Sequence, residues 1–153
     1  MKMVALGLVP DLTAKAARTA ASNAGAKVVK TYAYEISGSE QQEIFDINPD
    51  LVLLCGGTDG GNREVIVANA RRLAAIDRPF TTIVAGNKRA TDDIRAILGE
   101  ARKDVVITEN VMPQFNKLNI EPARDAIRQL FIARIIEAKG LNRLQAMTPH
   151  KII

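Results

Sequence analysis

Residues 53–64, LLCGGTDGGNRE, pass from an apolar stretch into four glycines, one aspartate and one asparagine, then into a charged segment. Glycine loses more backbone entropy on folding than any other residue, so this density is kept where positive φ or very close backbone approach is required. Three uses fit the loop Gly56, Gly57, Thr58, Asp59, Gly60, Gly61 and Asn62: a phosphate cradle, a docking surface, or a tight turn. A glycine loop feeding a helix start can turn several N–H groups toward an anion, aided by the helix dipole. Lys88 or Arg89 could add positive charge from a neighbouring loop. Against this, the spacing matches neither the dinucleotide fingerprint nor G-x-x-x-x-G-K-[ST], and Asp59 would repel a phosphate. On the alternative reading the glycines make a tight crossing, and Asp59 and Asn62 cap the next helix. The residues alone leave both open.

Other familiar chemistries have little to work with. The single histidine, His150, lies in the terminal stretch, so a serine or cysteine nucleophile has no imidazole base in the packed body. One histidine and one cysteine make no zinc pattern. Cys55 ends an apolar run with nothing cationic beside it, which suits a small buried hydrophobe better than a nucleophile. Asp11 and Asp59 stand where a phospho-receiver would want acidic residues, but Glu109 replaces its lysine. An Asp-x-His-x-x-Gly element, expected of a cobalamin-ligating domain, is absent from the sequence.

The elements that must position these residues alternate regularly. MVALGLVP (3–10) reads as a strand, and LTAKAARTAASNAGA (12–26) as a helix with an alanine face and Gly25 as its C-cap glycine. AKVVKTYAYEI (26–36) is a second strand. Ser37 with Glu40, and Ser39 with Gln42, each offer a capping box for a short helix through Ile44 and Phe45, before the Asn48-Pro49-Asp50 turn. LVLLCGG (51–57) is apolar on both faces, as a central strand is.

Asn62 can cap a helix over 63–76; strands over 80–86 and 104–110 flank a helix over 91–102. The last helix has Pro122 in its first turn, a stripe of Ala123, Ile127, Leu130, Phe131, Ile135 and Ala138, and Gly140 as its stop. Five strands alternating with helices predict an α/β fold: a five-stranded, mostly parallel, doubly wound sheet with helices on both faces, flavodoxin-like in strand order 2-1-3-4-5. Residues 1–140 form one domain, and 141–153 are a tail or linker.

Ligands of such folds sit beyond the carboxyl ends of the strands. That places Asp11, the loop 56–62, Gly86-Asn87-Lys88-Arg89 and Glu109-Asn110 on one polar rim.

The totals agree with one modest core. A chain of 153 residues buries ~70% of its unfolded surface without disulfides or metal. With 47% hydrophobic and 25% charged residues, and no apolar run of membrane length, it reads as soluble and cytoplasmic. A net charge of +4, six aromatics and no tryptophan argue against nucleic-acid binding.

Taken together, MVALGLVPDLTAKAA, AGAKVVKTYAYE, LVLLCGGTDGGNREV, IVAGNK, VVITENVMPQFNKLNIEPAR and IEAKGL resemble the MutL/GlmL family found beside adenosylcobalamin-dependent mutases such as glutamate mutase. This is not the mismatch-repair protein of the same name. The resemblance spans nearly the whole chain. It implies an ATP-dependent reactivating chaperone of the actin-like, Hsp70-type ATPase superfamily, exchanging damaged cobalamin for intact coenzyme, with ATP and magnesium as cofactors of the full-length protein. The family's phosphate-gripping motifs, of the types Asp-Ile-Gly-Ser-Thr and Asp-Ile-Gly-Gly-Ala-Thr-Thr-Asp, are absent here. The chain therefore resembles an excised internal α/β segment, with Met1 an introduced start. By itself it would hold no catalytic residue, metal or cofactor, and its partners would be the mutase subunits and the remaining ATPase core, with no nucleic acid and no membrane. A docking role would account for the glycine-bare rim; a nucleotide- or phosphate-binding module at GGTDGGN is the other reading.

Overall fold

The computed structural model describes residues 1–140; the terminal stretch 141–153, with Arg143, His150 and Lys151, lies outside them. Five strands form: β1 (Lys2–Gly7), β2 (Lys27–Ala33), β3 (Leu51–Leu54), β4 (Thr81–Val84) and β5 (Asp104–Ile107). Five α-helices alternate with them: α1 (Pro10–Ala21), α2 (Gly38–Ile47), α3 (Glu64–Ala74), α4 (Thr91–Glu100) and α5 (Glu121–Ala138). The sheet order is β2-β1-β3-β4-β5, as the alternation predicts, and every pairing is parallel.

Parallel pairing with helical crossovers covers both faces, which is why β1 and β3 carry almost no polar side chain. On one face Leu6, Val52, Leu54 and Val84 pack against Ile44 of α2, Ile66 and Leu73 of α3, and Ile94 and Leu98 of α4. On the other face Met3, Ala5, Leu51, Leu53 and Ile83 meet the alanines of α1 together with Ala123 and Ile127 of α5. Full burial of each large aliphatic contributes ~1.5–3 kcal/mol. The small face of α1 leaves room for α5 beside it, and the Phe131 ring lies where a side chain on Gly25 would have to stand.

Several boundaries shift from those predicted, for local reasons. Every strand stops two or three residues before its expected end, because the chain leaves extended geometry there to build the rim; Gly56 at φ +131° and Gly57 at φ +80° are the clearest case. Helix α1 starts at Pro10, whose fixed φ suits the first helical position. It ends at Ala21, before the left-handed Asn23, so Gly25 is a turn residue and no C-cap. Of the two possible capping boxes only Ser37 with Glu40 forms, and Asn48 closes that helix in the left-handed region. The stripe expected along α5 holds only for its first half: Ala123 and Ile127 are fully buried, whereas Ile135 and Ala138 are exposed. The helix outruns the sheet it covers. Among the described residues no helix is long and apolar enough to cross a membrane.

Candidate functional site

The carboxyl ends of β1, β3, β4 and β5 open on one rim, where three polar side chains hold the loops together. Asn87, after β4, is buried and uses its whole amide. Its Oδ1 accepts from the N–H groups of Gly60 at 2.9 Å and Arg89 at 3.0 Å. Its Nδ2 donates to the carbonyls of Gly61 and Asn62, each at 3.1 Å.

Asn110, after β5, is equally buried. It donates from Nδ2 to the Gly57 carbonyl at 2.9 Å and to Asp59 Oδ1 at 3.1 Å, while its Oδ1 accepts from the Met112 N–H. Asp59 completes the set by accepting from the Lys88 N–H at 2.9 Å. A buried side-chain amide that meets all its partners rigidifies the loops it joins.

Thus the glycine loop is tied down by its neighbours. The N–H of Asp59 donates to the Pro113 carbonyl and that of Gly61 to Thr58. Asn62 accepts from Val65 N–H at 3.2 Å and so caps α3, but Asp59 does not share that task. It caps the turn after β4 instead, because the loop folds across the rim rather than running straight into the helix. Gly57 sits at φ +80°, and a Cβ there would stand 2.2 Å from the Asn62 carbonyl oxygen. Gly86 has a different reason: its Cβ would meet Ile66 Cδ1 at 2.4 Å, so the backbones of β3 and β4 close tightly above α3.

The remaining predicted rim residues are peripheral. Asp11 is exposed on the first turn of α1, and Lys88 is exposed. The Arg89 side chain lies near Gly60. Glu109 is exposed and accepts from Asn119 at 3.3 Å. The rim brings together Gly57, Asp59, Gly60, Asn87 and Asn110, but it sets no acid opposite a base.

An apolar hollow of about 210 Å³ lies beside this network. Leu8 and Val9 come from the loop after β1, Leu12 and Thr13 from α1, Cys55 to Thr58 from the loop after β3, and Met112, Phe115 and Leu118 from the segment after β5. Sequence reasoning passed over Phe115 and Leu118. Their signal was the run of apolar residues, VMP-F-L-I, within an otherwise polar connection. Phe115 is 76% exposed at its mouth.

Cys55 lies under this hollow, its Sγ donating to the Leu6 carbonyl. Burial pushes its thiol up to about 12, so it stays protonated and is no nucleophile. The other shifted groups take no part in the hydrogen bonds of Asp59, Asn87 and Asn110. Burial, with help from Glu43, raises Tyr32, whereas hydrogen bonds from Lys30 and Tyr32 lower Glu43. Lys103 is lowered by burial against Phe80, while its ammonium donates to the carbonyls of Ile76 and Arg78. Among the described residues no three His, Cys, Asp or Glu side chains gather where they could hold a metal ion.

The architecture and rim define a doubly wound α/β domain with its strand-end loops cross-linked by side-chain amides. The chain belongs to the MutL protein family, whose model matches residues 1–153. Protein MutL of Clostridium tetanomorphum is 47% identical over 146 residues, covering 95% of this chain and 32% of that relative. The chain thus spans about a third of the length of the curated relative it matches. Among solved structures, the signal receiver domain of a modulated diguanylate cyclase from Desulfovibrio desulfuricans G20 is similar with a TM-score of 0.49 at 14% identity, covering 88% of this chain and 97% of that one.

Proposed function

We propose that this chain is a non-catalytic α/β domain of an ATP-dependent reactivating protein for a cobalamin-dependent mutase of the glutamate-mutase type, and that it acts through protein contacts at the strand-end rim. Membership of the MutL family supports the setting. The observation that carries the docking role is the internal bonding of the rim: Asp59, Asn87 and Asn110 bond to loop backbone, and Asn110 also to Asp59, while Val9, Phe115 and Leu118 are left exposed. Surface aromatics on a rigid frame bind partners at low entropic cost.

The nucleotide alternative has less support. The N–H groups of Asp59, Gly60 and Gly61 already donate inside the protein, and the Asp59 carboxylate occupies the middle of the loop. These residues do not fit a nucleotide's phosphates or the magnesium that would accompany them, so ATP belongs to the rest of the longer protein. Its partners are then mutase subunits and the ATPase core, in the cytoplasm.

Immobilised chain and purified glutamate-mutase subunits, compared by biolayer interferometry, test the reading. Saturable binding that Phe115→Ser weakens at least tenfold, with no ATP hydrolysis by the chain alone, is expected. Unchanged binding in that variant, or steady ATP turnover, would overturn it.

A further inference from the structure

We propose that the groove at the amino ends of the strands is the docking site of this chain's own terminal stretch, residues 141–153, with Arg143 set against Asp104 and Glu137. The inference concerns the face opposite the rim and does not rest on the docking role.

The groove follows from the topology. All pairings in the sheet are parallel, so the first residues of the strands share one end. Helix α5 starts after the last strand has reached the rim and comes back to that end. Asp50, Thr81 and Asp104, at the starts of β3, β4 and β5, form one wall, and one side of α5 between Leu130 and Ala138 forms the other. The enclosed volume is about 750 Å³. An apolar cavity of about 150 Å³ already takes a benzene ring, so this groove has room for several side chains.

Its walls select the occupant. Arg134 is paired with Asp50 at 2.8 Å, and their charges cancel. Asp104 and Glu137 are exposed, and among the described residues neither carboxylate has an ion-pair partner. Pro79, Leu130 and Ala133 supply apolar surface beside them. A segment with a cation flanked by apolar side chains is complementary to such a surface.

The terminal stretch has that character. LNRLQAMTPHKII carries Arg143 and Lys151 and no acidic residue, with Leu141 and Leu144 on either side of Arg143. It leaves the very helix that makes one wall. Gly140 stands at φ +72°, a left-handed position that turns a chain off its helix axis. Arg143 follows three residues later, a backbone span of at most about 11 Å. A segment on so short a tether meets its site at an effective concentration on the order of 1 mM, so weak contacts hold it. A second copy is the poorer occupant, because a two-fold contact through this groove would set like acids against each other.

A nitroxide at position 147 reports the contact in the full chain. Met147→Cys provides the attachment point, and Cys55→Ala removes the only other thiol. Relative to the reduced label, the amides of Thr81 and Asp104 should lose at least half their intensity. Those of Ile132 and Ile135, exposed and outside the groove wall, should lose less. Arg143→Glu should cut the loss at Thr81 and Asp104 at least twofold, and Arg143→Lys should keep most of it. Arg143→Glu combined with Asp104→Lys and Glu137→Lys should restore it. Native-like strand resonances in each variant are the folding control. Equal losses on the two sides of α5, or no response to Arg143→Glu, would overturn the proposal. So would losses that persist when the nitroxide is carried by a separate, isotopically silent copy of the chain, since they would give the groove to a second molecule.

Discussion

Asn110 donates from Nδ2 to Asp59 Oδ1 at 3.1 Å, joining two loops whose residues are 51 positions apart in the chain. The same nitrogen reaches the Gly57 carbonyl at 2.9 Å, so one buried amide holds both the start and the middle of the glycine loop. Asn87 does the same from the β4 side. The rim is thereby a frame, set by side chains rather than by ladder bonds.

The frame has a measurable worth. Asn87→Ala strips partners from the Gly60 and Arg89 N–H groups and from the Gly61 and Asn62 carbonyls. We expect a loss of about 2–3 kcal/mol in urea unfolding and a Tm lower by about 5–10 °C. Lys88→Ala, with its side chain exposed, should stay within about 0.5 kcal/mol. Equal effects from the two would show that Asn87 does not organise the rim.

Two glycines should respond to alanine with opposite signs. At Gly57 the added Cβ would meet the Asn62 carbonyl and the φ of +80° is unfavourable, so Gly57→Ala should destabilise by more than about 2 kcal/mol. At Gly99, in α4, a Cβ meets nothing within 4 Å. Gly99→Ala should therefore stabilise by about 0.5–1 kcal/mol, through the unfolded chain and helix propensity. Calorimetry of both variants checks the pair.

The Cys55 thiol links stability to alkaline pH. Its folded pKa of about 12 lies above the ordinary 9.0, so above pH 9 the unfolded chain has released a proton that the folded one retains. Stability from this group is fully present below pH 9 and declines as pH rises toward about 12. Cys55→Ala should flatten that part of the pH profile. At pH 8 the native thiol should resist iodoacetamide and react once urea unfolds the chain; rapid native labelling would contradict its burial.

Helix α5 should divide into two halves. Ile127, fully buried, should cost about 2–5 kcal/mol on replacement by alanine. Ile135, 38% exposed, should cost less than about 1 kcal/mol. Comparable losses at both positions would mean that the outer half of α5 has a cover that the described residues lack.

The amino-acid sequence by itself determined the element order, the parallel sheet and which loops gather beyond the carboxyl ends of the strands. Alternating apolar runs and helical stripes are local patterns, and the right-handed crossover rule turns them into a topology. It also marked the glycine loop, Asn62 as the α3 cap, and the Ser37–Glu40 box, since each depends on residues a few positions apart. Tertiary structure alone decided which partner each polar rim residue takes. Asp59 turns to Lys88 and Asn110 instead of α3, because loops distant in sequence converge there. The same convergence makes the hollow around Thr13 and turns Phe115 toward solvent, and it sets where α5 runs past the sheet. Short-range spacing encodes what a segment becomes; contacts between segments, whose geometry follows from the packed core, decide what its side chains meet.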